Sequence, residues 1–295
     1  MKWLKNPKWV ALLFIMPLEV LLNLIGMFPF VVAIYLSFTN WTPVTGNWWE
    51  ASIVGPQNYI KMLFDANFIR SIFLTAGIVG FCVTIEFLLG LLLAFLFLED
   101  LLGKKILTSL AILPMMFIPA VTGYVFYVAF QSSGPLNVTL SLVLGTDIQL
   151  RWLRDPMLSF LGIVITDVWQ WTPFMFLVLF SGLLALPPDP INAARILGGS
   201  GWQTFRDVQL PMLKPVIIVA LLLRAIEAFK MFDIVYIITM GGPGYATQTL
   251  SLYLYEEGFK YLKMAYVAAE GLAIMLLVAI ICWYAAKPLL RRTAA

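Results

Sequence analysis

The sequence contains no histidine and only two cysteines in 295 residues, and charged residues make up just 12% of it. The absence of histidine removes the commonest metal ligand and the usual proton shuttle at neutral pH. Cys82 and Cys282 both fall in long apolar stretches, so neither a disulfide framework nor a zinc site is predicted. The phosphate-binding pattern G-x-x-x-x-G-K-[ST] is missing as well. We therefore expect no catalytic centre, bound metal or cofactor, and no nucleic-acid partner.

Hydrophobic residues make up 61% of the chain and fall into six blocks. Each block can cross a hydrocarbon layer of about 30 Å, which takes roughly 20 helical residues. The predicted spans cover residues 9–37, 70–98, 105–131, 157–186, 211–240 and 264–286. In lipid, backbone polar groups must be satisfied within the segment, and the blocks lack the alternation of barrel strands. The predicted fold is all-α, with six transmembrane helices in one membrane domain covering residues 1–295.

Lysine and arginine residues are distributed unevenly between the predicted loops. With the amino terminus placed in the cytoplasm, eleven of them lie in the inside segments and six in the outside segments. The inside group includes Lys2, Lys5, Arg291 and Arg292. Because cytoplasmic loops carry an excess of Lys and Arg, this asymmetry predicts that both termini are cytoplasmic.

Residues 187–210, between the fourth and fifth blocks, form a long polar insertion on the predicted cytoplasmic side. Asp189 is predicted to cap a short helix that starts at Pro190, and Gly198-Gly199 to end it. Ser200 and Gln203 have the spacing of a capping box, which starts a second helix. By shape alone, the insertion fits equally well an interfacial hairpin anchored by its tryptophan or a docking site for a soluble partner.

The residue pattern of the insertion favours the docking site. Ala193-Ala194, Gly198, Trp202-Gln203, Phe205, Leu210-Pro211 and Pro215 stand at the spacings of the E-A-A-x-x-x-G loop of binding-protein-dependent ABC importer permeases. Two further patterns resemble the carbohydrate-uptake members of that family. They are Ser37-Phe38-Thr39 followed by Val54-Gly55-Pro56-Gln57-Asn58-Tyr59, and Phe232-Asp233 followed by Thr239-Met240-Gly241-Gly242-Pro243 and Thr247. The likeness extends from about residue 10 to residue 285.

This resemblance implies a permease subunit of an ATP-driven importer of the maltose, oligosaccharide and glycerol phosphate type, in the inner (cytoplasmic) membrane of a prokaryote. The implied partners are membrane lipid, a second homologous permease, two ATP-binding cassette subunits that use ATP and Mg, an extracytoplasmic solute-binding protein and a carbohydrate substrate. Residues 187–210 would then be the coupling loop, with a coupling helix over 190–199. The residues implied in ATPase coupling are Asn192, Ala193, Ala194, Arg195, Leu197, Gly198 and Gly199.

Charged residues within the spans are candidates for substrate contact, because each costs about 2.5–3.5 kcal/mol at the centre of a membrane helix. The acids among them are Glu19, Glu86, Asp167, Glu227, Asp233 and Glu270. In the fifth block four charges recur at spacing three, where opposite signs can pair along a helix. Either these charges neutralise one another or the lower ones lie in a water-filled cavity, or some of them hydrogen-bond a polyhydroxylated substrate or form a gate to the partner permease. The predicted substrate-path residues are Trp169, Gln170, Trp171, Arg224, Glu227, Lys230 and Asp233.

The three residues Trp169-Gln170-Trp171 in the fourth block combine flat apolar faces with an amide, as sugar recognition requires. Tryptophan also anchors helices at membrane interfaces without any ligand, which is the alternative for at least one of the pair.

Two other functions are alternatives to the importer. An ion-coupled secondary transporter of a small polar solute would also place polar residues in mid-span. The missing histidines, the absence of an evident repeat between the halves and the docking loop argue against it. A membrane-embedded enzyme is less favoured still, because the sequence has no nucleophile motif.

Overall fold

The structure, a computed structural model, describes residues 7–99 and 102–290. Lys2, Lys5, Arg291 and Arg292, which contribute to the charge asymmetry, lie outside the described residues. The described residues form α-helices, with short 3-10 and π-helical turns and one isolated bridge between Thr39 and Ile53. They divide into two compact units, one formed by residues up to 65 with 254–277 and the other by 66–253 with the residues from 278 onward.

The first unit contains α1 (Pro7–Ser37), a 3-10 turn (Trp48–Glu50), α2 (Gln57–Leu63), the π-helical turn Glu256–Lys260 and the start of α13 (Met264–Leu290). Every α1 side chain from Phe14 to Val31 is exposed within the chain, although this stretch is strongly apolar. A helix with an apolar surface on all sides is stable where lipid or another protein covers it.

The contact between the end of α1 and the start of α2 explains one of the sequence patterns. Asn58 Nδ2 donates to the backbone oxygens of Ser37 at 2.9 Å and Thr39 at 2.8 Å. The Tyr59 hydroxyl donates to Ser37 Oγ at 2.8 Å. The side chains of Asn58 and Tyr59 thus satisfy polar groups at the end of the helix. Residues 37–39 and 54–59, the two halves of the sequence pattern, are therefore joined by hydrogen bonds.

The second unit contains the remaining helices. They are α3 (Ala66–Leu96), α4 (Lys104–Ile112), α5 (Pro119–Ala129), α6 (Pro135–Leu144), α7 (Pro156–Leu184), α8 (Pro188–Ile196), α9 (Gly201–Thr204), α10 (Leu210–Phe229), α11 (Asp233–Ile238) and α12 (Leu250–Tyr255), the last of which ends at the boundary between the units. A 3-10 turn (Leu113–Met116) follows α4, and a π-helical turn (Phe205–Gln209) joins α9 to α10. Helix α3 packs along α7, and both contact α10.

Four helices contain stretches that are long and apolar enough to cross a membrane: Phe14–Ser37, Ala66–Leu96, Pro156–Leu184 and Met264–Ala285. They correspond to the predicted blocks at 9–37, 70–98, 157–186 and 264–286. The structure therefore confirms a helical membrane protein, and it places these four helices within a few residues of the predicted ends.

The predicted block 105–131 is wrong as one continuous helix. Its two halves, Lys104–Met116 and Pro119–Ala129, meet at an angle of 93°. Pro119 supplies no amide hydrogen, and the residue before it, Ile118, is extended with φ −65° and ψ 135°. Because a residue before proline is disfavoured in the helical region, the chain breaks where Pro119 begins the next helix.

The predicted block 211–240 is also wrong as one continuous helix. Helix α10 ends at Phe229, and α11 begins at Asp233. At the break, the hydroxyl of Thr249 donates to the backbone oxygen of Met231 at 3.2 Å. A side chain therefore replaces a helical hydrogen bond, which is how irregular backbone is tolerated at membrane depth.

Candidate functional site

A buried ion network joins three helices of the second unit. Arg224 of α10 donates from Nε to Glu86 Oε2 at 2.7 Å and from Nη2 to Glu86 Oε1 at 2.9 Å. Its Nη2 also bonds Asp167 of α7. The three side chains are at most 2% exposed. Since an unpaired charge at such depth is very costly, each of these side chains depends on its partners, and the network links α3, α7 and α10.

A cavity of about 200 Å³ opens beside this network. Its lining combines the ring of Trp171 with charged side chains from α7, α10 and the α10–α11 break. The lining residues are Pro119, Asp167, Trp171, Arg224, Glu227, Ala228, Lys230, Met231, Phe232, Asp233 and Ile234. The Arg224 guanidinium lies 5.1 Å from the Trp171 ring centroid, in cation–π geometry. The cavity thus offers an aromatic face next to hydrogen-bonding groups.

The four charges that recur at spacing three in the fifth block do not all pair with one another. Lys230 Nζ lies 2.8 Å from Glu227 Oε1, and both side chains are more than half exposed. Arg224 instead pairs with acids on two other helices. The prediction of pairing along the helix is therefore confirmed for Glu227 and Lys230. It is wrong for Arg224, because Glu227, three residues further on, is not its partner.

Of the three residues Trp169-Gln170-Trp171, only Trp171 lines this cavity. Gln170 is buried, and its Nε2 donates to the backbone oxygen of Phe117 at 2.8 Å. The Trp169 ring stacks on the Phe117 ring at 6.1 Å and meets Phe126 edge-on at 5.5 Å. Trp169 and Gln170 thus contact the bend between α4 and α5, which gives them a structural role in place of the predicted contact with the path.

Replacing Gln170 by Leu is expected to lower the free energy of unfolding by about 1 kcal/mol, because the Phe117 carbonyl would lose its hydrogen-bond donor. Thermal unfolding of the purified protein in detergent measures this loss. The matched control is Gln149→Leu, since the exposed Gln149 side chain bonds only Asp147 within the described residues, and surface changes of this kind stay within about 0.5 kcal/mol. Equal stability of the two variants would contradict this role.

The turn after α11 fixes the break at residues 230–232. The hydroxyls of Thr239 and Thr247 lie 2.7 Å apart, and Thr247 Oγ1 donates to the backbone oxygen of Gly242 at 2.7 Å. Gly241 has φ +83°, which glycine adopts without strain. The backbone amide of Leu250 donates to Thr75 Oγ1 of α3 at 2.8 Å. The pattern from Phe232 to Thr247 is therefore a rigid turn that positions the cavity wall.

The polar insertion at residues 187–210 differs in detail from its predicted form. Helix α8 begins at Pro188, after Pro187 at the cap position, and the Asp189 side chain caps nothing, so the predicted start at Pro190 is late by two residues. Gly198 has φ +85° directly after the helix end, as expected for a glycine stop. Ser200 and Gln203 exchange both hydrogen bonds of a capping box, as predicted.

The two halves of this insertion differ sharply in burial. Phe205 is buried and its ring packs edge-on against Phe95 of α3 at 4.2 Å. By contrast α8 buries no side chain, and Ile196 and Leu197 are 85% and 87% exposed. Among the predicted ATPase-coupling residues, Ala194 and Gly199 are half-buried and the other five are exposed. One end of the loop is thus anchored to the bundle and the other has a free surface.

Comparison with known proteins places the chain in a family. A family model for the inner membrane component of binding-protein-dependent transport systems matches residues 86–287. The trehalose/maltose transport system permease protein MalF of Thermococcus litoralis is 39% identical over 222 residues, which cover 71% of this chain and 75% of that protein. The trehalose transport system permease protein SugA of Mycobacterium tuberculosis is 32% identical over 274 residues, which cover 93% and 86%.

A solved structure shares the fold. A chain of a bacterial ABC transporter involved in the import of the acidic polysaccharide alginate superposes with a TM-score of 0.82, covering 99% of both chains at 20% identity. Together with the sequence relatives, these matches favour an importer subunit over the ion-coupled alternative. The chain belongs to the inner membrane components of binding-protein-dependent transport systems, the permease subunits of ABC importers.

Proposed function

We propose that this permease forms half of the translocation path for a sugar, an oligosaccharide or a related polyol. The observation that carries the proposal is the cavity beside the buried ion network, where the Trp171 ring adjoins carboxylate and guanidinium groups. An aromatic face suits the C–H side of a pyranose, and the charged groups accept or donate hydrogen bonds to its hydroxyls. The substrates in the names of similar proteins range from trehalose and maltose to the acidic polysaccharide alginate.

We infer that the chain crosses the membrane six times as a single permease domain of the inner membrane, with both termini in the cytoplasm. Four long helices and the bent pair α4–α5 supply five crossings. Helix α10, continued by α11, supplies the sixth, and its charges explain why apolarity alone does not identify it. The eleven-to-six distribution of Lys and Arg supports the orientation.

The permease is proposed to work with a second homologous permease, an extracytoplasmic solute-binding protein and two ATPase subunits, which would supply the ATP and Mg chemistry. Helix α8 supports the ATPase contact, since a two-turn helix that buries no side chain gains no packing energy from its own chain. The proposed coupling residues are those of 190–199. The proposed substrate contacts are Trp171, Arg224, Glu227, Lys230 and Asp233, while Trp169 and Gln170 are left out because they contact the α4–α5 bend.

Placing two carboxylates on the free end of the coupling loop, by Ile196→Asp with Leu197→Asp, is expected to weaken ATPase association at least about tenfold. A few residues near the centre of an interface carry most of its binding energy, and two buried charges without partners would oppose docking. The change is measured by titrating the ATPase subunits against the tagged permease and copurifying them. Salt and detergent concentrations are held constant.

The matched control is Leu102→Asp, because Leu102 is 99% exposed in the other predicted cytoplasmic connection. This variant should retain the ATPase subunits. The complexes are then reconstituted in vesicles and supplied with labelled trehalose and the solute-binding protein. Uptake that needs ATP and survives collapse of ion gradients is expected. Uptake by the isolated chain driven by an ion gradient, or loss of the ATPase in both variants alike, would refute the proposed function.

A further inference from the structure

We propose that the charge arrangement of the cavity selects neutral carbohydrates and disfavours anionic ones such as uronates and sugar phosphates. This inference rests on the proposed function and narrows its substrate class. The cavity and its supporting network contain four carboxyl groups, Glu86, Asp167, Glu227 and Asp233, but only two cations, Arg224 and Lys230. An anionic substrate entering this space therefore meets an excess of like charge.

Arg224 is the group that would otherwise grip a carboxylate or phosphate through two parallel hydrogen bonds. Its Nε and Nη2 are already committed to both oxygens of Glu86, and Nη2 also bonds Asp167. When both are ionised, these two acids carry two negative charges against the single positive charge of the guanidinium. Even with one of them protonated, Arg224 has no net positive charge to offer a substrate.

The second cation is committed as well. Lys230 pairs with Glu227 at 2.8 Å. Asp233, at the start of α11, forms no hydrogen bond or ion pair with the described residues. The cavity thus contains one carboxylate, that of Asp233, without a counter-ion, whereas both of its cations are paired. This one unpaired carboxylate is expected to raise the local concentration of cations relative to that of anions.

A neutral polyol suits the same groups. The Arg224 Nη1 atom has no hydrogen-bond partner in the described part of the chain, although the side chain is 98% buried and lines the cavity. It can donate to a hydroxyl oxygen, while the Asp233 carboxylate can accept from a hydroxyl hydrogen. Trp171 supplies the apolar face. Hydroxyl recognition thus uses hydrogen-bonding positions that remain open, whereas anion recognition would need a free cation.

Charged thiol reagents measure the sign of the potential without any substrate. In the complete importer, Cys82→Ala and Cys282→Ala remove the native thiols, and Phe232→Cys places a reporter in the cavity wall. A reference complex carries Val44→Cys, which is 78% exposed in a stretch without charged residues from Thr39 to Trp49. Cationic trimethylammonium-ethyl and anionic sulfonatoethyl methanethiosulfonate each form a mixed disulfide with the reporter and release methanesulfinate.

The ratio of cationic to anionic reaction rates at position 232 is expected to exceed the ratio at position 44 about tenfold or more. Adding Asp233→Asn and Glu227→Gln should reduce that excess several-fold, because the mutations leave two cations against two carboxyls. A ratio at 232 equal to or below the reference overturns the charge selectivity. The reagents require neither ATP nor sugar, so this result is scored separately from uptake by the isolated chain driven by an ion gradient, which would refute the proposed function.

Discussion

Replacement of Arg224 by Met is expected to lower the free energy of unfolding by about 3–5 kcal/mol, the cost of leaving buried charge without its partner. Glu86 and Asp167 would then face each other as two acids in the interior, with no cation between them. Loss of the cation–π contact with Trp171 adds about 1–2 kcal/mol at most. The uncompensated carboxyl groups therefore dominate the effect.

A graded series of variants separates charge from packing. Arg224→Lys keeps the positive charge but loses the two parallel bonds to Glu86, so an intermediate loss is expected. Combining Arg224→Met with Glu86→Met and Asp167→Leu removes all three charges, and hydrophobic replacements of similar volume are often neutral or stabilising. Thermal and denaturant unfolding of the purified permease in detergent compares them. A triple variant as unstable as Arg224→Met alone would show that side-chain packing, not charge, is what Arg224 supplies.

The long membrane helices were predictable because a physical length limits them. A span must cover about 30 Å of hydrocarbon, so an uninterrupted apolar block fixes both its existence and its ends. Helix α7 runs from Pro156 to Leu184 against a predicted 157–186, and in the structure Asp155 caps it by accepting from the amides of Met157 and Leu158. These features are local, and local signals are what a single sequence contains.

The two broken helices differ in how far their breaks could be anticipated. Pro119 marks the bend between α4 and α5 in the sequence itself, although the apolar block around it is long enough for one span. No proline or glycine marks the break between Phe229 and Asp233. That break depends on Thr249, which is distant in sequence and supplies the donor for the Met231 carbonyl. Such a tertiary contact gives no signal in the sequence around the break.

The site shows the same division between local and distant contacts. Glu227 and Lys230 pair along one helix, as spacing predicts, whereas the partners of Arg224 are 57 and 138 positions away. A sequence can indicate that a charge in a span needs a partner, but it does not identify which one. For Trp169, Gln170 and Trp171, helical geometry alone was informative. Successive residues point about 100° apart, so all three cannot face one cavity.

Replacing Gly90 by Ala is expected to destabilise the protein by about 3 kcal/mol or more, above the usual range for overpacking. Gly90 lies where α3 packs against α7, and an added Cβ would lie 2.6 Å from Met175 Cβ and 2.9 Å from the backbone nitrogen of Phe176. Neither atom belongs to the far end of a flexible side chain. The helices must therefore separate, which also disturbs the nearby Glu86 on α3 and its bonds to Arg224.

Gly80→Ala in the same helix is the matched control, because its Cβ would meet no atom within 4 Å. Alanine exceeds glycine in helix propensity by about 1 kcal/mol, so this variant should be unchanged or slightly more stable. The two substitutions make the same chemical change ten residues apart and are expected to move the unfolding midpoint in opposite directions. If Gly90→Ala proved as stable as Gly80→Ala, α3 and α7 would not approach as closely as the structure places them, and the ion network between them would have to be reassigned.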